Sequence, residues 1–177
     1  MSAPIRGAIT VRPAAERDVA AIGAFADQLY SLHHAWDPKR FWDLGGDDPA
    51  RRAGRERFFR SQLTAEDTLL LVAEHMAGAV GYAYATLEAR DYGNLLERAM
   101  WLHDLFVAPD ARGSGAADLL FAAACEYARA AGSPLLALKV AEANPRGQAF
   151  FRRHGARDTM REMVIELPTS SGSSPRG

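Results

Sequence analysis

The sequence predicts an α/β fold with a single mixed β-sheet and helices on both of its faces. Two patterns lead to this prediction. Short apolar runs typical of strands alternate along the chain with longer segments in which apolar residues recur every three or four positions. The chain has 177 residues, 48% of them hydrophobic, which suits one globular domain with a sizeable core. The predicted order of elements is βααβββαβαβ.

The first elements end where proline or a polar run interrupts the apolar pattern. Pro13 ends the first strand, and the next segment carries apolar residues at helical spacing from Val19 to Leu29. Pro49 suits the first turn of a second helix. We expect, in chain order, a strand over 8–12, a helix over 14–32, an aromatic-rich loop over 33–48 and an arginine-rich helix over 50–63.

The remaining elements form a hairpin followed by alternating strands and helices. A turn at 75–78 joins two strand-like runs, which predicts an antiparallel pair. Gly132 and Pro134 end a long Ala/Leu-rich helix. We expect strands over 68–74, 79–89, 99–107, 135–140 and 160–167, a polar loop over 90–97, and helices over 115–131 and 144–153. Residues 1–167 form a single predicted domain, and the Ser/Gly/Pro-rich residues 168–177 form a predicted disordered tail.

Composition narrows the classes of partner and cofactor. A formal net charge of −1 argues against nucleic acid as a partner. Cys125 is the single cysteine, so no intrachain disulfide can form, and the adjacent His33 and His34 lack the spacing of metal ligands. We therefore expect no metal. Residues 1–10 lack a signal-peptide core and no apolar run approaches the roughly 20 residues that span a bilayer, so we expect a cytosolic protein. A homodimer is the candidate assembly.

The stretch over 102–117 carries the strongest chemical signal. An apolar strand leads into a proline-containing turn, then into a Gly-x-Gly loop at Gly113 and Gly115, and then into the long helix. The first amides of a helix lack intrahelical partners and can surround an anion. Glycine has no Cβ, so the backbone there can approach the anion closely. The pattern predicts a site for a phosphate or pyrophosphate.

Two common phosphate-binding loops are excluded by the residues that follow. A Walker loop needs Gly-Lys-Ser/Thr, but Gly115 is followed by Ala116 and Ala117. A Rossmann loop needs a glycine or alanine where Asp118 stands, and an acidic residue about twenty positions further on. The corresponding stretch over 135–140 contains no acidic residue.

The segment resembles the GNAT superfamily of acetyl-CoA-dependent N-acetyltransferases, whose signature is Arg/Gln-x-x-Gly-x-Gly/Ala after a strand. Arg112, Gly115 and Ala117 occupy the fixed positions of that signature. A second family element is a strand followed by an Asn-led helix that ends near Gly-Ala, and it resembles 135–140 followed by the segment from Asn144 to Gly155. The local pattern is most similar to the diamine acetyltransferase-like branch.

This resemblance implies the GNAT fold, with acetyl-CoA as cosubstrate. In that fold the fourth and fifth strands splay apart and pantetheine lies in the gap like an added strand, which implies main-chain contacts at Leu105, Phe106 and Val107. Asn144 would contact the pantetheine arm and also suits a helix N-cap, and Phe151 would lie in the same cofactor-binding helix. The pyrophosphate would be held by Arg112, Gly113, Ser114, Gly115, Ala116 and Ala117.

The resemblance also indicates a catalytic base. An alkyl ammonium has a pKa near ~10.4, so an acceptor amine must lose a proton before it attacks a thioester. The diamine branch has a glutamate on its fourth strand where His103 stands here, and an imidazole suits a base at neutral pH. The alternatives are a histidine that packs near Trp101 and a water chain that acts as the base. In a regular strand Asp104 would point away from His103, so we expect it to cap a loop or a helix end.

Position 151 departs from the family pattern. The family commonly has a tyrosine seven residues after the helix-opening Asn, and its hydroxyl protonates the CoA thiolate, but Phe151 has no hydroxyl. Water or another group would then supply the proton, or Tyr127 or Ser114 would reach in from elsewhere. A third interpretation is that the protein binds acyl-CoA with little or no catalysis.

The acceptor side is expected in the loop over 33–48. Trp36 and Trp42 would stack on a cationic amine, and Asp37 or Asp43 would pair with it; the alternative is that this loop only covers the core. The leading hypothesis is an N-acetyltransferase that transfers the acetyl group of acetyl-CoA to a primary amine of a polyamine- or aminoglycoside-like small molecule. A protein or peptide amine is the second enzyme hypothesis. A catalytically weak acyl-CoA-binding module is the alternative of a different class.

Overall fold

The structure, a computed structural model, describes residues 8–44, 48–76 and 78–167. The chain divides into two compact units, one up to Ala141 and one from Glu142 onward. The predicted tail at 168–177, residues 45–47 of the predicted loop and Ala77 of the predicted hairpin turn lie outside the described residues.

The first unit contains the sheet and most of the helices. Short 3-10 turns at Glu16–Asp18 and Pro109–Ala111 come before the first and third helices. The regular elements of this unit are β1 (Thr10–Pro13), α1 (Val19–Trp36), α2 (Pro49–Gln62), β2 (Thr68–His75), β3 (Gly78–Glu88), β4 (Ala99–Val107), α3 (Ala116–Ala130) and β5 (Leu136–Leu138).

The strands form one mixed sheet in the order β1-β2-β3-β4-β5. The first four strands pair antiparallel with their neighbours, whereas β5 runs parallel to β4. Parallel neighbours need a crossover connection, and α3 supplies it between β4 and β5. The predicted α/β fold with a single mixed sheet is confirmed.

Apolar residues on both faces of the sheet are buried. On one face, Leu70 and Val72 of β2 pack in a single buried cluster with Ile22 of α1 and Phe59 of α2. The intervening Leu71 is also buried, and strand alternation directs it to the opposite face. Helix α3 contacts β1, β2, β3 and β4 and contributes nothing to the first cluster, so it covers that opposite face.

Helix α1 runs on through Trp36, so His33 is helical rather than part of the predicted loop. His33 Nδ1 lies 2.9 Å from the carbonyl oxygen of Leu29, one turn earlier. No glycine or proline interrupts the chain between Leu29 and Asp37. Asp37 ends the helix in a non-helical conformation, because Pro38 follows it and cannot continue a helix, and the Asp37 Oδ1 atom accepts a hydrogen bond from the amide of Lys39 at 3.1 Å. The loop prediction is therefore wrong over its first four residues, 33–36.

The second unit contains one helix in its described part, α4 (Pro145–Arg153). Asn144 is its N-cap, and the Asn144 Oδ1 atom accepts the amide N–H of Gly147 at 2.9 Å, as the sequence predicts. Beyond the helix, Arg152 pairs with Asp158 at 2.9 Å.

The strand predicted over 160–167 is wrong, because these residues form neither strand nor helix. Met163 and Ile165 have exposed fractions of 85% and 87%. A strand is held by hydrogen bonds to a neighbour and by the burial of one face, and the sheet ladders of the described residues do not include this segment. Apolar composition alone therefore did not produce a strand here.

Candidate active site

Strand β4 contains a β-bulge at the predicted base. Tyr84 of β3 pairs with Asp104, whereas the next residue, Ala85, pairs with Leu102. His103 is therefore an extra residue in β4 that has no partner in β3. A bulge interrupts the two-residue alternation of a strand, so the side chains on either side of it need not point in opposite directions.

The bulge brings His103 and Asp104 to the same face of the sheet. The rings of His103 and Tyr84 lie 5.2 Å apart between centroids at an interplanar angle of 30°. The hydroxyl of Tyr82 donates to Asp104 Oδ2 at 3.0 Å. Tyr82 and Tyr84 are two residues apart on β3 and so share a face, the one that α1 and α2 cover. The expected opposite orientation of His103 and Asp104 is wrong because β4 is not regular.

Two polar side chains of β3 hold the imidazole of His103. Its Nε2 atom lies 2.7 Å from Thr86 Oγ1 and 3.2 Å from Glu88 Oε1. The Thr86 hydroxyl donates to Glu88 Oε1 at 3.0 Å, so it can only accept from His103. In the neutral imidazole this arrangement favours the tautomer with its proton on Nε2, which leaves the lone pair on Nδ1. The imidazole ring also packs against Tyr84, and it shares the lining of one cavity with Trp101.

Asp104 does not cap a loop or a helix end as predicted, because it lies in the middle of the sheet, where Tyr82 donates to it. Burial raises the pKa of the Asp104 carboxyl, and the Tyr82 hydrogen bond and the nearby His103 and His33 oppose that rise. Burial, and then the Asp104 carboxylate, raise the pKa of Tyr30 in α1.

This group of tyrosines was not predicted from the sequence. Tyr82 and Tyr84 are two residues apart on a predicted strand, a spacing that places both side chains on one face of the sheet. Tyr84 donates to Gln62 Oε1 of α2 at 3.1 Å. Tyr30, Tyr82 and Tyr84 therefore lie around Asp104, between the sheet and the first two helices, and each brings a phenolic hydroxyl to this region.

Strands β4 and β5 separate immediately before the bulge. Their parallel ladder ends at the pair Leu102 and Leu138, so the edge of β4 beyond this pair is unpaired on the β5 side. The Ala108 amide donates to the Val80 carbonyl at 2.9 Å, which makes these two residues a hydrogen-bonded antiparallel pair. Such pairs alternate, so Phe106 is the next residue of β4 that bonds to β3.

The main-chain groups of Leu105 and Val107 therefore face the open edge. The main-chain N–H and C=O of Phe106 face Tyr82 of β3. The Phe106 side chain lies in the core and is 4% exposed. This register favours Leu105 and Val107 over Phe106 for a main-chain contact with an added strand-like ligand. The open edge begins one residue after the last β4–β5 pair, at the bulge.

The glycine loop follows β4 and a short turn. Gly113 and Gly115 have φ values of +83° and +87°, a conformation that L side chains rarely adopt, and a Cβ at either position would meet nothing within 4 Å. Gly115 is the N-cap of α3 and supplies no side-chain cap. Ser114 Oγ is 3.4 Å from the Ala116 amide, a long contact. The first turn of α3, with Ala116 and Ala117, thus begins at an open glycine loop, beside Arg112, which lies in the turn before it.

A cavity of about 290 Å³ lies at the bulge. The loop between β3 and β4 forms one wall, where Asp91 and Leu96 exchange main-chain hydrogen bonds of 2.8 and 3.0 Å. The cavity is lined by Glu88, Asp91, Asn94, Trp101, Leu102, His103 and Lys139.

The predicted acceptor residues do not line this cavity. Trp36 packs edge-on against His33 with 5.1 Å between ring centroids, and Asp37 holds the turn after α1. Trp42 has an exposed fraction of 79%. Their role in acceptor binding stays a prediction. Asn144 and Phe151 belong to the second unit, and their predicted cofactor contacts also stay predictions.

The described residues contain neither a helix suited to a membrane nor a cluster of metal ligands. None of the helices is long and apolar enough to cross a membrane. No three side chains among the described histidines, cysteines, aspartates and glutamates are grouped as metal ligands would be.

Comparison with known proteins identifies the family. The model of the acetyltransferase (GNAT) family matches residues 27–156, which include the bulge, the open edge, the glycine loop and α4. The chain belongs to the GNAT family of acetyltransferases, and it is an enzyme that transfers acyl groups, a GNAT-type N-acetyltransferase.

Relatives and solved structures are similar over most of the chain. The uncharacterized N-acetyltransferase YhfO of Bacillus subtilis (strain 168) is 27% identical over 149 residues, which cover 83% of this chain and 89% of that protein. A mutant of the BH1408 protein of Bacillus halodurans is similar in fold, with a TM-score of 0.76 at 21% identity, covering 90% of this chain and 99% of its own. AAC(6')-Iy, bound to the bisubstrate analogue CoA-S-monomethyl-acetylneamine, has a TM-score of 0.64 at 21% identity and covers 92% of this chain and all of its own.

Proposed function

We propose that this protein transfers the acetyl group of acetyl-CoA to a primary amine of a small-molecule acceptor. The observation that carries the proposal is the course of β4, whose edge opens at the His103 bulge and leads directly to the Gly113 and Gly115 loop. A thioester and a pyrophosphate are the two ends of the same CoA arm. The open edge lies between a candidate base and a candidate anion site, as such an arm would require.

The cofactor would bind through backbone groups. Pantetheine would add to the free edge of β4 at Leu105 and Val107, as a peptide strand adds to a sheet edge. The pyrophosphate would lie against the first amides of α3, where both glycines leave open space and the helix dipole favours negative charge. The fold neighbour AAC(6')-Iy, an aminoglycoside N-acetyltransferase, has been solved with CoA, which supports the same cosubstrate here.

The chemical step would use His103 as the base. Its Nδ1 lone pair would take a proton from the acceptor ammonium, while Glu88 and Thr86 hold the ring through Nε2. The amine nitrogen then attacks the thioester carbonyl carbon, the C–N bond forms and the C–S bond breaks, and the second proton that the nitrogen must lose to become an amide passes to solvent. Solvent would return a proton to the thiolate, because Phe151 offers no hydroxyl.

Acceptors with a small, polar amine are the best supported class. The cavity at His103 has a volume of about 290 Å³, at the small end of ligand sites. The neighbour AAC(6')-Iy, solved with a bisubstrate analogue containing acetylneamine, supports an aminoglycoside-like amine, and the resemblance of the sequence to the diamine branch supports a polyamine-like one. The cytosolic location and the homodimer stay predictions.

The test is a panel of amines assayed for acetyl-CoA-dependent release of free thiol. Diamines, aminoglycosides, amino acids and a lysine-containing peptide are compared at equal concentration, with CoA binding measured in parallel by calorimetry. We expect turnover on a small-molecule amine above the peptide. CoA binding without turnover on any acceptor would contradict the proposal and favour an acyl-CoA-binding module, and a preference for the peptide would favour the protein acetyltransferase.

A further inference from the structure

We propose that the acceptor is an amino-carboxylate, with its amine directed to His103 and its carboxylate bound by Lys139. This inference rests on the proposed function and narrows its acceptor class. It is argued from the charges that line the cavity at the bulge, and from the hydrogen bonds that already use some of them.

The acidic side chains of this cavity are engaged by the protein itself. Asp91 Oδ1 accepts the amides of Gly93 and Asn94 at 2.8 and 3.1 Å, and its Oδ2 accepts the side-chain amide of Asn94 at 2.5 Å. Glu88 Oε1 accepts from Thr86 and lies 3.2 Å from His103 Nε2. The Asp91 carboxylate is therefore committed to its own loop, and the Glu88 carboxylate is committed through one oxygen to the group that holds His103.

Lys139 differs from these acidic groups. It follows Leu138, the β5 residue paired with Leu102, just as His103 follows Leu102 in β4. Both residues therefore stand at the point where the strands separate, and both line the cavity. Lys139 Nζ lies 5.9 Å from the ring centroid of Trp101, and among the described residues it has no carboxylate within 4.0 Å. The Asp91 carboxylate lies near enough for the Lys139 charge to help lower its pKa, but no ion-pair contact with the described residues occupies the three N–H donors of Lys139, which can serve an incoming oxygen.

These features favour a zwitterionic acceptor over a polycation. A ligand carboxylate would satisfy the ammonium of Lys139 through charge-assisted hydrogen bonds. A polyamine or an aminoglycoside would instead place its additional positive charges beside Lys139, and like charges in a small site act against binding. A volume of about 290 Å³ also suits a molecule of amino-acid size better than a multi-ring aminoglycoside.

The experiment compares matched acceptors that differ only in the carboxylate. Lysine and cadaverine form one pair, and phenylalanine and phenethylamine the other. For the wild type we expect kcat/KM to be higher for the amino acid of each pair by about tenfold or more, as a charge-assisted contact produces. Lys139→Met should remove this preference by raising KM for the amino acid alone, and Lys139→Glu should reverse it. Arg129→Met, at the far end of α3, is the matched control for loss of a positive charge and should keep the preference.

Measurements of acceptor binding at equilibrium test the role of Lys139 without relying on turnover. The same acceptors are titrated by calorimetry into the protein saturated with CoA. Tighter binding of the amino acids that depends on Lys139 would support the inference even if no acceptor were acetylated, in which case the proposed function would fail alone. Equal or tighter binding of the decarboxylated amines would overturn the inference. An equal loss of turnover on both members of each pair in Lys139→Met would also overturn it, because it would place Lys139 at the thioester.

Discussion

At the scale of the residue, His103 is held on one side and open on the other. Thr86 and Glu88 both contact its Nε2 atom, and no hydrogen bond to its Nδ1 atom is present among the described residues. A base needs a directed lone pair, and this arrangement provides one without the need for a metal or a second histidine. The Glu88 carboxylate, through its contact with Nε2, keeps the imidazole ring in one orientation.

Replacing His103 separates a base from a packing residue. We expect His103→Ala to lower turnover about 100-fold or more with little change in CoA affinity, since general base assistance is worth roughly 10²- to 10⁴-fold. His103→Gln keeps size and polarity and should lose a similar factor. Steady-state rates at saturating acetyl-CoA are the measurement. Wild-type activity and an unchanged pH profile in His103→Gln would leave water as the proton acceptor.

Asp104 predicts a dependence of stability on pH. Burial raises its pKa in the folded state, so the folded protein holds this proton more tightly than the unfolded chain does. Its contribution to stability is therefore favourable at low pH and is lost as pH rises from the ordinary carboxyl range through the raised value. Asp104→Asn, which keeps an acceptor for Tyr82, should gain stability relative to the wild type across that window.

Chemical denaturation of both proteins at a series of pH values measures this difference. Asp110→Asn, an exposed aspartate in the turn before α3, is the matched control and should run parallel to the wild type. A constant difference between Asp104→Asn and the wild type over the whole range would show that burial does not shift this carboxyl.

At the scale of the element, the glycine loop and α3 act as one unit. Gly115→Asp adds both a side chain in a left-handed backbone and a negative charge where an anion is proposed to bind. We expect CoA affinity to fall about tenfold or more, because the change acts on a site built from main-chain amides. Calorimetric titration with CoA is the measurement.

Gly132 provides the control for this change at the opposite end of α3. It has a φ of +69° and equally open space at its Cβ position, so Gly132→Asp carries a comparable backbone strain without the proposed ligand. Gly132→Asp should bind CoA like the wild type. A folded Gly115→Asp protein with unchanged CoA affinity would remove the pyrophosphate assignment.

The N-cap of α4 is a second element-level device. Asn144 Oδ1 accepts the Gly147 amide, and a Cβ on Gly147 would come within 2.9 Å of Asn144 Cγ. The Asn144 side chain therefore occupies the space that a side chain at position 147 would need. Asn144→Ala should destabilise the helix by about 1 kcal/mol. Hydrogen exchange should report faster exchange at the Gly147 amide, whereas Asn144→Asp, which keeps the acceptor, should preserve its protection.

Elements were predicted well where a local pattern decides them. β4 has the predicted bounds, because its apolar run ends at a proline-containing turn. The end of α1 was missed because residues 33–36 do not disfavour a helix, and the first residue that cannot continue one is Pro38. The strand over 160–167 was wrong because pairing is a property of two segments. The bulge was missed for a similar reason: an extra residue is defined only against β3.

At the scale of the whole molecule, Arg12 links segments distant in sequence. Its guanidinium makes two hydrogen bonds to Asp18, of 2.7 and 2.9 Å, and two more to Glu74 Oε2, of 2.9 and 2.7 Å. Asp18 also accepts the Ala15 amide at 2.8 Å. One ion cluster thus joins β1, the start of α1 and β2. The Arg12 hydrogen bonds lower the pKa of Asp18, and burial opposes them.

This cluster predicts sensitivity to acid. Because the folded pKa of Asp18 is lowered, its stabilisation is complete above the ordinary carboxyl pKa and is lost as pH falls through the folded value. Asp18→Asn should lower the free energy of unfolding at neutral pH by about 2 kcal/mol, as loss of a hydrogen-bonded charge does. Urea denaturation measures it. Glu16→Gln, which breaks the exposed pair with Arg60, should stay close to the wild type.

The extra residue in β4 also bears on how this gene can diverge. A one-residue deletion at position 103 would leave Leu102 and Asp104 adjacent, matching Ala85 and Tyr84 one for one. The deletion would regularise the sheet while removing the imidazole and orphaning Glu88. We therefore expect a chain with this deletion to fold and to keep the open edge of β4 while it lacks the proposed base.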